Sequence, residues 1–269
     1  MNKILIIGCG HMGNSLLSAW STKTKNSFVV IDPLQYSKIN KKFNKKVLAF
    51  KNLNQIVNFQ LFDIIIFAVK PQIISKVLED LKKYKFKKSV LFASIVAGKK
   101  IKFYEKFLPK KNQFVRLMPN MPAMIKQGMT CFCVNQNISN LNIKKIKTLL
   151  SIVGQSLLLK DENDLDKVTA ISGSGPGYVF LFIDAFEKAA LKLGLGEKNT
   201  KKLVSQTIQG SINLFIQKNI SAENLANNIA VKGGTTEAGL NELNKKESIE
   251  IKLKKAVRSA YKRAKQLGN

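Results

Sequence analysis

The chain has 269 residues, with 45 Lys and Arg against 17 Asp and Glu, and a formal net charge of +28 at pH 7. This length allows one large or two small domains, and an apolar content of 45% with 16 Phe excludes a disordered polyelectrolyte. The charge alone would point to nucleic-acid binding. Only three basic residues are Arg, however, and Lys is spread over the whole length. Asn and Ile are abundant as well, and Lys, Asn and Ile are all encoded by A/T-rich codons, so drift in genome composition explains the charge better than nucleic-acid binding does.

The first 160 residues alternate short apolar runs with amphipathic stretches. This alternation is typical of a mostly parallel sheet with helices on both faces. Helices are predicted between the strands, for example over 73–81 and 143–150. The predicted strands are Ile4–Ile7, Phe28–Ile31, Val47–Phe50, Ile64–Val69, Val90–Ser94, Phe114–Leu117, Met129–Val134 and Leu157–Leu159.

After Asp161 the strand-like runs disappear and long helical periodicities follow. We therefore predict two domains, an α/β domain over 1–160 and an all-α domain over 161–269. At the head of the all-α domain, the segment 172–176 contains two glycines and a proline and is predicted to break a helical stretch. The predicted helices of this half are Tyr178–Leu193, Thr200–Gln217, Glu223–Ile229 and Ile249–Leu267.

A glycine-rich motif directly follows the first predicted strand and opens a helix. In this context G-x-G-x-x-G predicts a doubly wound, Rossmann-type domain that binds a dinucleotide, with the pyrophosphate at the helix start. A chance glycine turn is the alternative. We interpret the single histidine, His11, as a helix-start residue rather than an acid or base. The predicted cofactor-binding residues here are Gly8, Cys9, Gly10, His11, Met12 and Gly13.

Asp32 ends the second predicted strand, about 20 residues after the last glycine, where an acidic residue binds the adenosine ribose. A carboxylate suits the ribose diol of NADH and repels the 2′-phosphate of NADPH. Lys38, Lys41 and Lys42 lie close enough in sequence to offset that repulsion. The cofactor is therefore predicted to be NADPH or NADH, with Asp32 favouring NADH.

Further motifs follow at later strand ends and in the helical half. The fourth strand runs into A-V-K-P-Q, where Lys70 is placed to meet a pyrophosphate or a carboxylate; a solvated lysine is the alternative. Together, in this order, the motifs resemble those of the pyrroline-5-carboxylate reductase family over nearly the whole chain. They are the glycine motif, A-V-K-P-Q, S-I-V-A-G, R-L-M-P-N-M-P, D-K-V-T-A-I-S-G-S-G-P and G-G-T-T.

The resemblance implies an activity and an assembly. The reaction is reduction of Δ1-pyrroline-5-carboxylate to L-proline by NADPH or NADH, the last step of proline biosynthesis. The fold is a Rossmann domain followed by an α-helical dimerisation domain that interlocks with its copy, and such homodimers often form decamers. Because solvent can protonate the cyclic imine before it binds, orientation and electrostatic placement supply most of the rate, and few acid–base groups are needed.

The resemblance also assigns residues. Thr169 matches the family threonine near the ring nitrogen and is the candidate for orienting the imine; a helix-core threonine is the alternative. The G-G-T-T segment offers backbone N–H groups and hydroxyls for the substrate carboxylate, a simple helix cap being the alternative. The implied substrate residues are Ser172, Lys232, Gly233, Gly234, Thr235 and Thr236, and the further cofactor residues are Ala68, Val69, Lys70, Pro71, Ser94 and Asn120.

Four positions depart from the family pattern. Val231-Lys232 stands where relatives commonly carry Ser-Pro, and the change removes a hydroxyl and adds a cation near the predicted carboxylate site. Gly177 replaces the usual Ala. Asp32 stands where NADPH-using relatives often have a small polar residue, which keeps the choice of cofactor open.

Two other functions remain as alternatives. A paralogue reducing a related imine or a β-hydroxy acid is the first; the latter would need a lysine in a G-x-x-x-K context, which Lys188 and Lys192 lack. The second is a non-catalytic basic Rossmann protein, which predicts clustered Arg and aromatic residues on one face.

The remaining composition bounds the environment. Three Cys without C-x-x-C spacing predict reduced, buried thiols in a cytoplasmic protein, and a single His gives no imidazole set for a metal. No apolar run has the length of a membrane span, and the short run after Lys3 ends in glycines, so a strand fits better than a signal peptide. We expect a small-molecule substrate and neither nucleic acid, membrane nor metal as a partner.

Overall fold

The computed structural model describes residues 1–43, 46–109 and 111–268. Within these ranges the first half of the chain forms one eight-stranded sheet, in the order β3-β2-β1-β4-β5-β6-β7-β8. Neighbouring strands are parallel apart from the antiparallel pair β6 and β7. The strands are β1 (Lys3–Ile7), β2 (Ser27–Ile31), β3 (Val47–Phe50), β4 (Ile64–Phe67), β5 (Leu91–Ser94), β6 (Gln113–Met118), β7 (Gly128–Val134) and β8 (Gly154–Leu158).

All eight predicted strands are present, and the predicted fold class is confirmed. The fully buried β4 and β5 lie inside the sheet, which explains why their sequences are apolar on both faces. The largest difference in bounds is at β8, which begins at Gly154 rather than Leu157. Gly154 pairs with Gly128 at φ +138°, so the strand starts on residues without an apolar pattern.

Helices cover both faces of the sheet and create two cores. On one face Trp20 is fully buried and its Nε1 donates to the carbonyl of Leu149 over 2.8 Å. On the other face Phe67, Phe92 and Tyr104 form the centre of an aromatic cluster. The helices are α1 (His11–Lys23), α2 (Tyr36–Phe43), α3 (Ile74–Leu81), α4 (Ile101–Glu105) and α5 (Asn140–Leu150), with 3₁₀ turns at Leu53–Gln55, Phe59–Leu61 and Met121–Ile125.

From residue 164 onward the structure is helical. The predicted break over 172–176 is wrong, because the backbone continues from α6 through a π-helical turn, Thr169–Gly173, directly into α7. The N–H of Ser174 donates to the carbonyl of Thr169 over 2.9 Å, the wider spacing of a π turn. The helices are α6 (Asp164–Val168), α7 (Gly175–Lys192), α8 (Glu197–Lys218), α9 (Ala222–Ile229), α10 (Thr235–Leu243) and α11 (Ile249–Gly268).

The chain divides into two compact units. The first holds residues 1–174 and the C-terminal residues from 260, and the second holds 175–259. The change from strands to helices occurs earlier, between Leu158 and Asp164. None of the helices in the described ranges is long and apolar enough to cross a membrane.

Candidate active site

The glycine motif lies at the carboxyl ends of β1 and β4, where the strand order reverses. Gly8 has φ +91°, and a Cβ there would be 2.6 Å from Val69 Cγ1. A Cβ at Gly13 would lie 3.1 Å from the carbonyl oxygen of Gly8. Nothing lies within 4 Å of the corresponding position at Gly10. Gly8 and Gly13 therefore close the loop against the sheet, and Gly10 leaves open space in front of the backbone.

This open space faces the start of α1, which suits a pyrophosphate. Gly10 is the N-cap of α1 and offers no side-chain cap, and the first turn holds no acidic residue. The first N–H groups of a helix have no carbonyl partner within it, and their dipole attracts an anion. His11 is exposed and Met12 is half-buried beside this turn. The residues present thus fit a dinucleotide at the switch point of the sheet.

Asp32 follows β2 directly and is buried, with 9% of its surface exposed. Its Oδ2 accepts from the N–H of Cys9 in the glycine motif over 2.7 Å. Its Oδ1 accepts from the N–H groups of Leu34 and Gln35, each over 2.9 Å. Burial first, and the Asp32 charge second, raise the pKa of the Cys9 thiol to about 12, so this thiol stays protonated.

The segments after β4 and β5 differ in what they expose. Ala68, Val69 and Pro71 are half-buried beside the glycine motif, and Lys70 is exposed. Ser94 is fully buried; its Oγ shares a hydrogen bond with Tyr104 Oη over 2.6 Å and accepts from the N–H of Val96 over 3.1 Å. The Ser94 hydroxyl is thus directed into the protein rather than toward the sheet edge.

Asn120 follows β6 at the same edge, and both polar atoms of its buried side chain have protein partners. Its Oδ1 accepts from the N–H of Met129 over 2.8 Å, and its Nδ2 donates to the carbonyl of Ser172 over 3.0 Å. This connection fixes the π turn to the carboxyl end of β6 and the start of β7.

The π turn presents two half-buried hydroxyl groups at this edge. Thr169 Oγ1 donates to the carbonyl of Leu165 over 2.6 Å, and Ser172 Oγ donates to the carbonyl of Val168 over 2.9 Å. Ser172 Oγ also lies 3.9 Å from Cys131 Sγ. Because each hydroxyl has already donated its hydrogen, the oxygen of Thr169 remains an acceptor. It is suited to an N–H donor on a ligand.

Sequence reasoning missed a buried ionic cluster next to this turn. Arg116 on β6 is 1% exposed, with Nη1 3.0 Å from Glu162 Oε1 and Nη2 3.6 Å from Asp166 Oδ1. Glu162 Oε1 also accepts from the N–H of Ile101. The cluster ties α6, and with it the start of the π turn, to the sheet. An arginine inside an otherwise apolar strand was the available signal.

The G-G-T-T segment belongs to the second unit. Gly233 has φ +78°, and its N–H donates to Glu237 Oε2 over 2.7 Å. The N–H of Gly234 donates to the carbonyl of Val231 over 2.9 Å. The N–H groups of Thr235 and Thr236, at the first turn of α10, are therefore the ones that helix geometry leaves for an anion. Lys232 is exposed immediately before them.

Over the described residues no group of three or more His, Cys, Asp or Glu side chains is placed to hold a metal ion.

The fold brings five predicted features to the carboxyl edge of the sheet. They are the glycine motif, Asp32, A-V-K-P-Q, Asn120 and the π turn.

Comparison with known proteins decides the family. The sequence model described as "Pyrroline-5-carboxylate reductase dimerisation" matches residues 162–267, and the one described as "NADP oxidoreductase coenzyme F420-dependent" matches residues 3–98. Pyrroline-5-carboxylate reductase 2 of Bacillus subtilis is 35% identical over 247 residues, which cover 90% of this chain and 87% of the relative. The chain belongs to the pyrroline-5-carboxylate reductase family.

Solved structures of pyrroline-5-carboxylate reductases have the same fold. The crystal structure of the Plasmodium falciparum enzyme with NADP bound superposes with a TM-score of 0.87 and 30% identity, covering 100% of this chain and 98% of that one. The enzyme of Coxiella burnetii superposes with a TM-score of 0.88 and 28% identity, over 100% of this chain and 99% of that one. The predicted family is confirmed, and the chain carries the family's dimerisation domain.

Proposed function

We propose that this chain reduces Δ1-pyrroline-5-carboxylate to L-proline with NAD(P)H, the last step of proline biosynthesis. The observation that carries the proposal is the open face at Gly10, at the start of α1, in a chain of this family. That face supplies the anion-binding turn that a nicotinamide dinucleotide requires. The cofactor, when bound, supplies the hydride.

The chain's own residues bind and orient the cofactor. The first turn of α1 holds the pyrophosphate, with Gly8 and Gly13 closing the loop behind it. Lys70, exposed after β4, adds a positive charge toward the phosphates. Of the other predicted cofactor residues, Ser94 and Asn120 act through the backbone they hold in place, because their side chains already have protein partners.

We propose Thr169 and Ser172 of the π turn as substrate residues, with Thr169 Oγ1 accepting a hydrogen bond from the protonated ring nitrogen. We also propose the G-G-T-T segment as a carboxylate-binding segment, in which Thr235 and Thr236 supply N–H groups and hydroxyls and Lys232 supplies a cation. An acceptor at the nitrogen favours the iminium form, whose carbon is the better hydride acceptor. The catalytic contribution is therefore orientation and electrostatics rather than proton transfer.

We also propose a division of roles along the chain, an assembly and a cellular location. We assign cofactor binding to residues 1–160 and substrate binding and dimerisation to 161–269. The family's dimerisation domain and the apolar surface of α7 support a homodimer, and a decamer of such dimers is the larger assembly to test. We place the protein in the cytoplasm, where three buried thiols remain reduced.

Oxidation of NADH and of NADPH by the purified protein with pyrroline-5-carboxylate tests the proposal. Turnover with at least one cofactor is expected, and no turnover above background with either rejects it. Replacing Thr236 with Ala should then raise the KM for the substrate far more than that for the cofactor. The opposite pattern would remove Thr236 from the substrate site.

A further inference from the structure

The carboxylate of Asp32 joins two loops at the cofactor edge of the sheet. One oxygen receives the N–H of Cys9 in the glycine motif over 2.7 Å, and the other receives those of Leu34 and Gln35 at the entry to α2. The N–H of Asp32 itself donates to the carbonyl of Phe50, the last residue of β3. The side chain is thus held between the loop after β1 and the loop after β2.

These bonds leave little of the carboxylate for a ligand. A carboxylate offers about four acceptor positions, and three are occupied by backbone N–H groups. Only 9% of Asp32 is exposed. Bidentate binding of a ribose diol would require at least one of these backbone bonds to open, which leaves an N–H group without a partner, a buried one in the case of Cys9.

We infer that Asp32 is a positioning residue that fixes the glycine motif in its binding shape through the N–H of Cys9. The inference rests on the proposed function only in that this motif receives the cofactor. Asp32 then supports NADH and NADPH to the same extent, since both share the pyrophosphate that the motif binds. A residue that reads the ribose would instead discriminate between them, because only NADPH carries a 2′-phosphate.

Asp32→Asn separates the two roles with little change of volume. An amide can accept on one side only. Its oxygen keeps two hydrogen bonds by facing the N–H groups of Leu34 and Gln35, so its NH₂ group faces the N–H of Cys9 and that bond is lost. Asp63 provides a matched control at the opposite edge of the same sheet. Its Oδ2 likewise accepts a backbone N–H, that of Lys3, over 2.7 Å, just before β4 begins.

Fluorescence titration of the wild type, Asp32→Asn and Asp63→Asn with NADH and with NADPH is the first measurement. Asp32→Asn should weaken both cofactors by about tenfold and change the ratio of their Kd values by less than about twofold. Asp63→Asn should leave both Kd values unchanged. A ratio that moves fivefold or more toward NADPH in Asp32→Asn would overturn the inference.

Amide hydrogen exchange of the chain without cofactor is the second measurement and does not depend on activity. The Cys9 amide should be protected in the wild type and exchange at least about tenfold faster in Asp32→Asn, but not in Asp63→Asn. An unprotected Cys9 amide in the wild type also overturns the inference, even where the variant fails to fold. A wild type that binds neither cofactor would argue against the proposed function, and this exchange measurement would still decide the role of Asp32.

Discussion

The side-chain amide of Asn120 donates a hydrogen bond to the carbonyl of Ser172, 52 residues away in sequence. Its oxygen accepts from the N–H of Met129, so one buried side chain connects the turn after β6, the start of β7 and the π turn. A π turn has less regular hydrogen bonding than an α-helix and occurs frequently at functional sites. The Asn120 bond holds this turn, and the Thr169 hydroxyl with it, at the carboxyl edge of the sheet.

Asn120→Ala should reduce both stability and turnover. The substitution removes the partners of two partly buried backbone groups, the N–H of Met129 and the carbonyl of Ser172, which costs about 2 kcal/mol in the free energy of unfolding. We expect kcat to fall at least about tenfold, because Thr169 loses its fixed position. Urea denaturation and steady-state kinetics measure the two effects.

Asn120→Asp is the matched control for that change. It retains the acceptor for Met129 but cannot donate to Ser172, so its kcat should fall as in the alanine variant with a smaller loss of stability. Wild-type kcat in both variants would show that the Ser172 bond has no role in turnover.

Two glycines of the cofactor motif should respond differently to alanine. At Gly10 a Cβ meets nothing within 4 Å and φ is −65°, so Gly10→Ala should cost only the general preference for Gly over Ala at an N-cap, about 1 kcal/mol or less in the free energy of unfolding. The methyl group would occupy the space for the pyrophosphate, and the Kd for NADH should rise at least about tenfold. Chemical denaturation and cofactor titration give both quantities.

Gly13→Ala supplies the comparison. Its Cβ would lie 3.1 Å from the carbonyl oxygen of Gly8 and 3.3 Å from Ala68 Cβ, so we expect it to destabilise the fold by about 1–3 kcal/mol. Unchanged cofactor affinity in Gly10→Ala would mean that the pyrophosphate does not bind in front of this residue.

The sheet and the glycine motif were predictable from the sequence because short local patterns specify both. Apolar runs specify buried parallel strands, and G-x-G-x-x-G after a strand specifies a turn that side chains would block. The π turn was not, since its wider hydrogen bonding is set by packing against β6 and β7 rather than by its own residues. The contacts of Asn120 with Ser172 and of Arg116 with Glu162 join residues 52 and 46 apart, which no local pattern encodes.

The buried thiols predict how stability depends on alkaline pH. Burial, and next the charge of Glu162, raise the pKa of the Cys133 thiol to about 12, whereas the pKa of a cysteine in the unfolded chain is about 8.5. Above that value the unfolded chain loses a proton that the folded chain keeps. The stability contributed by the protonated thiol is therefore complete below about pH 8.5 and is lost as pH rises toward 12, by about 1.4 kcal/mol per pH unit.

Cys133→Ala removes this contribution to the pH dependence of the unfolding free energy. The difference in unfolding free energy between wild type and variant should be constant from pH 7 to about pH 8 and should shrink between about pH 8.5 and 10. Urea denaturation at a series of pH values measures it. A difference that stays constant up to pH 10 would show that the Cys133 thiol titrates normally in the folded chain.

The surface of α7 predicts that assembly depends on its apolar residues. Among the described residues of this 18-residue helix none is buried within one chain. Phe182 and Phe186 are 45% and 41% exposed, and their ring centroids lie 6.1 Å apart with the rings tilted by 53°. Single apolar side chains on a surface are common, but a run of exposed apolar side chains on one helix, here Val179–Phe182, marks an interface. In a symmetric dimer one substitution alters the interface twice.

Phe182→Asp should therefore lower the sedimenting mass from at least twice the chain mass of 30.1 kDa to that of one chain. Val57→Asp, at a fully exposed site in the first unit, should sediment like the wild type. If Phe182→Asp also sediments like the wild type, α7 does not form the interface.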